Sequence, residues 1–364
     1  MSFASILGQE AAIAVLRTAL LRKAVPQTLL FAGPDSVGKT ATAIAFAQTI
    51  SCKRPTPDGD ACDTCVNCSR IAENQHPDIV RIAPDGEFSR IWQFWSRPGH
   101  PPGALETLSF APVAAPRRFY IIEKAETLNE ESANSLLKAL EEPPAYVQFV
   151  LCAPSPNAVL PTILSRCRVV RFRQVPVERI AEGLIDRRGT DPAEARTLAA
   201  YSEGAPGRAF RLADTPELRD QRENLLSLAE RIAHSPQIAS FKLAEELRNA
   251  ARPPKAKKNE AEEGDSERTA RGDLLRAIDI LAVWHHDLLS VALNGPEAPL
   301  IHHDRRVAIL AAAARYRPEH LAENLESLFS VRRYIARNAN AQLATEVLLR
   351  RLSPRRPARD PGGA

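Results

Sequence analysis

The residues best suited to chemistry stand close together near the start of the chain. Gly33, Pro34, Asp35, Ser36, Val37, Gly38, Lys39 and Thr40 follow the spacing G-x-x-x-x-G-K-T. The glycines let the backbone curl until successive N–H groups face one anion. Lys39 would bring a point charge to the terminal phosphates of a nucleotide, and the Thr40 hydroxyl could ligate its Mg²⁺. A buried apolar run precedes the loop. The helical pattern after it, from Lys39 to Ile50, aims the positive end of its dipole at the same anion. Ser36 stands where many such loops carry glycine. The expected ligand is ATP or ADP with Mg²⁺.

A second group is built from sulfur. Cys52, Cys62, Cys65 and Cys68 read C-x9-C-x2-C-x2-C. Each C-x-x-C step gives two thiolates the bite that tetrahedral Zn²⁺ wants, and Cys52 would close the site. An iron–sulfur cluster competes, since four close cysteines would serve it too. A disulfide is the weaker reading in a reducing compartment. The segment holds Pro55, Pro57, Asp58, Gly59 and Asp60 and few core-forming residues, so a structural metal would organise it. Cys152 and Cys167 lie near buried strands, and Cys152 reads as an inert small hydrophobe.

The acidic partner of the loop is altered. Nucleotide-hydrolysing loops of this kind are usually joined by a later strand ending in an acid that holds Mg²⁺, often followed by a glutamate that polarises water. Here the strand Phe119–Ile122 ends in Glu123, Lys124, Ala125 and Glu126. Glu123 could still approach the metal. Lys124 cannot act as a base, and losing a positioned base costs about 10²–10⁴ in rate. Lys124 either points to solvent or adds positive charge beside an unhydrolysed nucleotide. Binding without efficient turnover is the expectation.

These residues need a scaffold. The runs Thr28–Gly33, Phe119–Glu123, Val147–Ala153 and Val169–Phe172 read as buried strands, and the helical patterns between them predict a parallel sheet with helices on both faces. This α/β nucleotide-binding domain is expected over residues 1–173, with the zinc module at 52–68. Residues 174–213 read as a small helical lid and 214–352 as an all-α domain. Within the latter, Pro253–Gly272 reads as a flexible loop, and residues 353–364 as a disordered basic tail. That tail either solubilises the chain or touches DNA or an acidic partner. At 364 residues and 44% hydrophobic, the chain can bury more than one core. Its net charge of +4 permits contact with nucleic acid without arguing for it. The N-terminus lacks a signal pattern and no apolar run is long enough for a bilayer, so a cytoplasmic protein with no membrane contact is expected.

Beyond the altered acids the sequence resembles a known family. Leu128–Pro144 (LNEESANSLLKALEEPP) is similar to the corresponding helix of bacterial clamp-loader AAA+ subunits. Asn129 can cap that helix, Ala133, Leu136, Leu137 and Leu140 form one apolar face, and Pro143 stops it. Pro161–Arg168 contains the family's Ser-Arg-Cys motif as Ser165, Arg166 and Cys167. Ile6, Leu7, Gly8 and Gln9 resemble the segment that packs near the adenine. Asn338, Asn340, Leu343 and Glu346 resemble the family's collar helix. The zinc module also sits directly after the loop's helix, as in that family.

The resemblance implies roles. Arg166 would be an arginine finger acting in trans on a neighbour's ATP, an effect of about 10³–10⁵ in rate. Arg208 would sense the γ-phosphate, with a lid salt bridge as the plainer alternative. A zinc module and a Ser-Arg-Cys arginine beside a degenerate acidic motif match the non-motor delta-prime type best; Ala153, Pro154 and Ser155 depart from the motor's sensor threonines in the same direction. Such a protein belongs to the DNA polymerase III holoenzyme. Its partners would be the gamma/tau motors, delta, the sliding clamp and, through the assembled complex, primed DNA. A gamma/tau-type motor is the alternative, and a homo-hexameric AAA+ DNA-repair protein a further one. The segment Phe88–Val113, with Trp92 and Trp95, reads as packing against the sheet or as a partner contact.

Overall fold

The computed structural model describes residues 1–85, 88–235, 237–252, 263–337 and 339–354. The described residues form five parallel strands: β1 (Thr28–Ala32), β2 (Ile79–Ile82), β3 (Arg118–Ile122), β4 (Val147–Ala153) and β5 (Arg168–Arg171). Their order across the sheet is β2-β3-β4-β1-β5. Thr28 lies opposite Phe149 and Leu29 opposite Arg168, so β1 is an interior strand, hydrogen-bonded on both edges. Four of these strands match the apolar runs in the sequence. β2, at the sheet edge, does not stand out there, because it is four residues long and carries Arg81.

Alternation along each strand divides the core in two. Leu29, Phe31, Phe119, Ile121, Val150 and Cys152 face one side. There they meet α1 (Glu10–Leu21), α2 (Lys39–Ser51) and Ile71 of α3 (Val66–Ala72). Leu30, Tyr120, Ile122, Phe149 and Leu151 face the other, against α4 (Glu130–Glu141) and Ile163 of α5 (Pro161–Leu164). Helices therefore cover both faces. α4 follows its sequence signals: the Asn129 side chain accepts from the Ser132 amide at 2.8 Å, Ala133, Leu136 and Leu140 are buried, and the helix ends before Pro143. Because all strands run parallel, the loops leaving β1, β3 and β4 emerge along one edge of the sheet, where ligands of open α/β sheets bind.

Three further helices follow, α6 (Val177–Arg188), α7 (Pro192–Tyr201) and α8 (Pro206–Asp214). The chain divides into two compact units, residues 1–210 and 211–364. Among the described residues the second has helices and no strand: α9 (Pro216–His234), α10 (Ser240–Ala251), α11 (Glu263–Asn294), α12 (Arg306–Ala313), α13 (Pro318–Ala336) and α14 (Ala341–Leu352). Its core includes Leu226, Ile278, Leu281, Trp284, Leu328 and Leu349. Buried Asp287 accepts from the Ile301 and His302 amides and from His302 Nδ1, tying the segment after α11 back to that helix.

Two expectations change here. Part of the supposed loop Pro253–Gly272 is helical, since α11 begins at Glu263. Its Glu, Arg and Ala residues are good helix formers and extend the apolar-periodic helix that starts at Leu274. Residues 253–262 lie outside the described residues, as do 355–364 of the basic tail and Asn338. Asn340 does not belong to the body of the last helix: it caps α14, accepting from the Leu343 amide at 3.0 Å. No helix among the described residues is long and apolar enough to cross a membrane.

Candidate nucleotide and metal sites

The glycine loop leaves the carboxyl end of β1 and enters α2. Gly33 donates to the Ala153 carbonyl at 3.1 Å, and a side chain there would meet the Phe172 carbonyl at 2.5 Å, so the close approach of β5 requires glycine. Ser36 and Gly38 take left-handed φ values of 60° and 106°. A serine at such a position is uncommon, and its carbonyl is bound by the Gly207 amide at the start of α8, at 2.9 Å. Gln9 braces the loop from the N-terminal segment, donating to the carbonyls of Val37 and Arg173. Lys39 is buried, and its ammonium donates to the carbonyls of Gly33 at 2.6 Å and Pro34 at 2.7 Å. Burial lowers its pKa, opposed by Asp35. The loop is thus held by main-chain groups, with a cation beneath it.

The acids leaving β3 are placed differently from one another. Glu123 Oε1 accepts twice from Arg81 on β2, at 2.7 and 3.1 Å. Lys124 is exposed and left-handed, with φ 51°. Ala125 is buried, and Glu126 turns inward: its Oε2 is buried and accepts no hydrogen bond among the described residues. Burial raises the Glu126 carboxyl; its own backbone N–H opposes this most, Asp35 adds to the rise, and Lys39 and Lys124 oppose it. Near the end of β4 Cys152 is fully buried, and burial pushes its thiol up to about 12. It is therefore inert at neutral pH.

The four cysteines converge. Their Sγ atoms all lie within 4.8 Å of one another, with Cys52 3.5 Å from Cys62 and 3.9 Å from Cys65. One tetrahedral ion with metal–sulfur bonds of about 2.3 Å has sulfur–sulfur edges of about 3.8 Å. The quartet fits a single metal ion, whereas a multi-iron cluster interposes its own sulfides and holds its cysteines further apart. The N–H and hydroxyl of Thr64 hold the Cys62 thiol down at about 6, so that ligand is readily ionised. Burial pushes the Cys68 and Cys52 thiols up, and a cation would reverse this.

Arg166 follows α5 with a third of its side chain exposed. It donates to Glu141 at 2.5 Å, to the Thr162 carbonyl at 2.7 Å and to Ser165 Oγ at 3.2 Å. Arg208 lies one residue from the Gly207–Ser36 contact, but its guanidinium pairs with Glu203 at 3.1 Å. In the Phe88–Val113 segment the anchors are Phe94 and Leu105, both fully buried, with Trp95 packed partly against the same core. Trp92 stacks on His100, the rings 4.8 Å apart.

Several residues escaped the sequence reading. Buried Asp60 accepts from the amides of Phe3, Ala4 and Ala61, from Thr49 and from Arg17, joining the cysteine segment to the N-terminus, α1 and α2. Asp78 accepts from the amides of Val113, Ala114 and Ala115 and from Arg118. An acid two residues before Cys62 was the only local signal for Asp60. None existed for Arg81 or Glu126.

The family model described as DNA polymerase III, delta subunit, matches residues 8–176. A second model, for the C-terminal part of DNA polymerase III delta, matches residues 268–353. The chain is 26% identical to the DNA polymerase III subunit delta' of Bacillus subtilis, over 88% of each protein. It is 31% identical to the tau subunit of the same organism over 49% of this chain and 30% of tau, and 30% identical to the Escherichia coli tau subunit over 58% and 32%. It thus spans only about a third of the tau subunits it matches. Correspondence with delta' runs almost end to end, and the chain belongs to the DNA polymerase III clamp-loader subunits, in their delta-prime type.

Proposed function

We propose that this clamp-loader subunit is a non-motor one: it binds a nucleotide, turns it over poorly, and completes the active site of a neighbouring gamma/tau motor through Arg166. The observation that carries the reading is the exit of β3. Glu123 is engaged by Arg81, and an exposed lysine occupies the next position, where a water-polarising carboxylate would be needed. Arg166 supplies the complementary half, a partly exposed guanidinium beside α5 whose charge suits a transferring phosphoryl group. Structural Zn²⁺ on Cys52, Cys62, Cys65 and Cys68 is the metal that a four-thiolate tetrahedral site favours. The partners are gamma/tau, delta, the sliding clamp and, within the complex, primed DNA.

Assembly with motor subunits tests the central claim. Arg166→Ala should lower clamp- and DNA-stimulated ATP hydrolysis by about 10³-fold; an unchanged rate refutes the finger. Elemental analysis should find one zinc per chain, and iron instead would refute that assignment. The formed glycine loop and the partial match to tau favour a second reading, an ATPase motor. Steady-state turnover by the isolated chain at several per second, abolished by Lys39→Ala, would establish it in place of the first.

A further inference from the structure

The second unit holds a cavity of about 350 Å³ where the end of α10, the Arg271 turn of α11 and the start of α14 meet. Its charged walls are three arginines, Arg248, Arg252 and Arg271, and no carboxylate lines it among the described residues. Three like charges around one cavity repel one another, and an anion between them relieves that cost.

The guanidinium of Arg248 is held in place. It donates at 2.8 Å to the hydroxyl of Thr345, a fully buried residue of α14. Thr345 is itself tied back to the Ala341 and Gln342 carbonyls, at 2.9 Å each. An arginine in the last turn of a helix ordinarily serves that helix's own carbonyls. Arg248 stands in the last turn of α10 and reaches across to α14 instead, with one of its five donors used on a neutral hydroxyl. Arg252 ends α10 with its side chain exposed. Neither of these two pairs with a carboxylate among the described residues. Asn340 and Ala341 line the same cavity, so the positive end of the α14 dipole adds to the field there.

A guanidinium is a planar fork that takes phosphate or carboxylate oxygens two at a time. Charge decides between them. A carboxylate brings one negative charge and a phosphate group about 1.5 to 2 at pH 7, so two linked phosphates match three guanidiniums best. The volume lies at the small end of ligand cavities, about 300–1,000 Å³. We propose that this cavity is a second anion site, for a diphosphate group, separate from the glycine loop and independent of it. The diphosphate is that of free pyrophosphate or of a nucleoside diphosphate.

The test is calorimetric titration of the full-length Lys39→Ala chain, whose glycine loop lacks its cation, with pyrophosphate, ADP and orthophosphate in the absence of Mg²⁺. Pyrophosphate or ADP should bind once per chain with a Kd of about 100 μM or tighter, and the tighter of the two identifies the source. Orthophosphate should bind at least about tenfold more weakly. Adding Arg252→Gln should weaken diphosphate binding by about tenfold or more, since charge-assisted hydrogen bonds are lost. Arg252→Lys should recover part of it, because the charge returns without the fork. Arg350→Gln, which removes an exposed arginine from the other end of α14, should stay within about twofold. Equal weakening by Arg350→Gln would reduce the effect to overall charge and overturn the proposal. So would orthophosphate binding as tightly as pyrophosphate, a triglutamate peptide binding more tightly than either diphosphate, or no binding. Hydrogen exchange on the unaltered chain keeps the test independent of the folding of Lys39→Ala. Pyrophosphate should slow exchange in the first turn of α14, and protection confined to the glycine loop overturns the proposal.

Discussion

Helix α2 has a candidate ligand site at each end, and the two are built on opposite plans. At its N-terminus the glycine loop presents N–H groups and Lys39 to an anion. At its C-terminus Cys52 begins the quartet that would hold a cation. The helix dipole suits both. The loop is organised by its own main chain: Lys39 is satisfied by two loop carbonyls, Gly33 is fixed by β5, and Gly207 and Gln9 brace it from either side. The cysteine segment is tied to its surroundings mainly by side chains, Asp60 and Asn67 among them. Its buried cluster consists of Ala61, Cys65 and Cys68, with Cys52 and Cys62 packed beside them, so its core is the ligand set itself. The anion site should therefore survive emptying, and the cation site should not.

Removing the metal is the strongest way to break that contrast. Structural zinc contributes about 10–16 kcal/mol in small modules. Chelation should strip hydrogen-exchange protection from residues 52–68, while amides of β1 and β4 stay protected. Equal protection with and without chelator would show that the segment folds unaided. Removing nucleotide should leave exchange in α2 nearly unchanged.

The next largest effect belongs to Asp60, which makes more hydrogen bonds from the cysteine segment to the rest of its unit than any other side chain there among the described residues. Asp60→Ala strips a buried carboxylate from three amides, Thr49 and Arg17. Loss of one partner in such a network costs about 3–5 kcal/mol, nearer the lower figure here because Arg17 is partly exposed. Denaturant unfolding with metal bound measures it. A loss below about 1 kcal/mol would mean that the metal alone holds the segment.

Acid offers a third, smaller probe. Asn67 of α3 donates to the Ala114 carbonyl, and Asp78 holds that loop through three amides and Arg118. Burial works to raise the Asp78 carboxyl, but the amides of Ala114, Val113 and Ala115 and the Arg118 guanidinium outweigh it, and the pKa lies below the usual carboxylate range. The folded state thus binds this proton less tightly than the unfolded chain. The stabilisation is complete above the ordinary value and is lost as pH falls through the folded one. Stability should decline below about pH 4, by up to about 2 kcal/mol from this group, and Asp78→Asn should flatten that part of the profile.

Much of this was legible in the sequence because it is local. The glycine loop, the cysteine spacing and the Asn129-capped helix are each written within some seventeen residues, and four strands are continuous apolar runs. What escaped is long-range. Glu123 and Arg81 are 42 positions apart, and no periodicity announces their bond. The inward turn of Glu126 depends on the left-handed backbone at Lys124, a residue whose type does not call for it. Phe94, rather than either tryptophan, anchors its segment because burial follows the path of the backbone more than side-chain size. The first turns of α11 look like linker by composition and take their helical order from the apolar helix downstream.

The smallest predicted effect is the sharpest on the anion side. Asp35 approaches Lys39 at 3.7 Å, and a sequence reading would credit it with holding the lysine in place. Its side chain is 76% exposed, and exposed ion pairs contribute about 0–1 kcal/mol. The carbonyls of Gly33 and Pro34 hold Lys39 instead, and no side-chain substitution removes them. Asp35→Ala should therefore change stability by less than about 0.5 kcal/mol. It should leave nucleotide affinity unchanged or raise it by up to about threefold, because a negative charge leaves the neighbourhood of the phosphates. A tenfold loss of affinity would mean that the side chain organises the loop, and the two ends of α2 would then be alike in depending on side chains for their order.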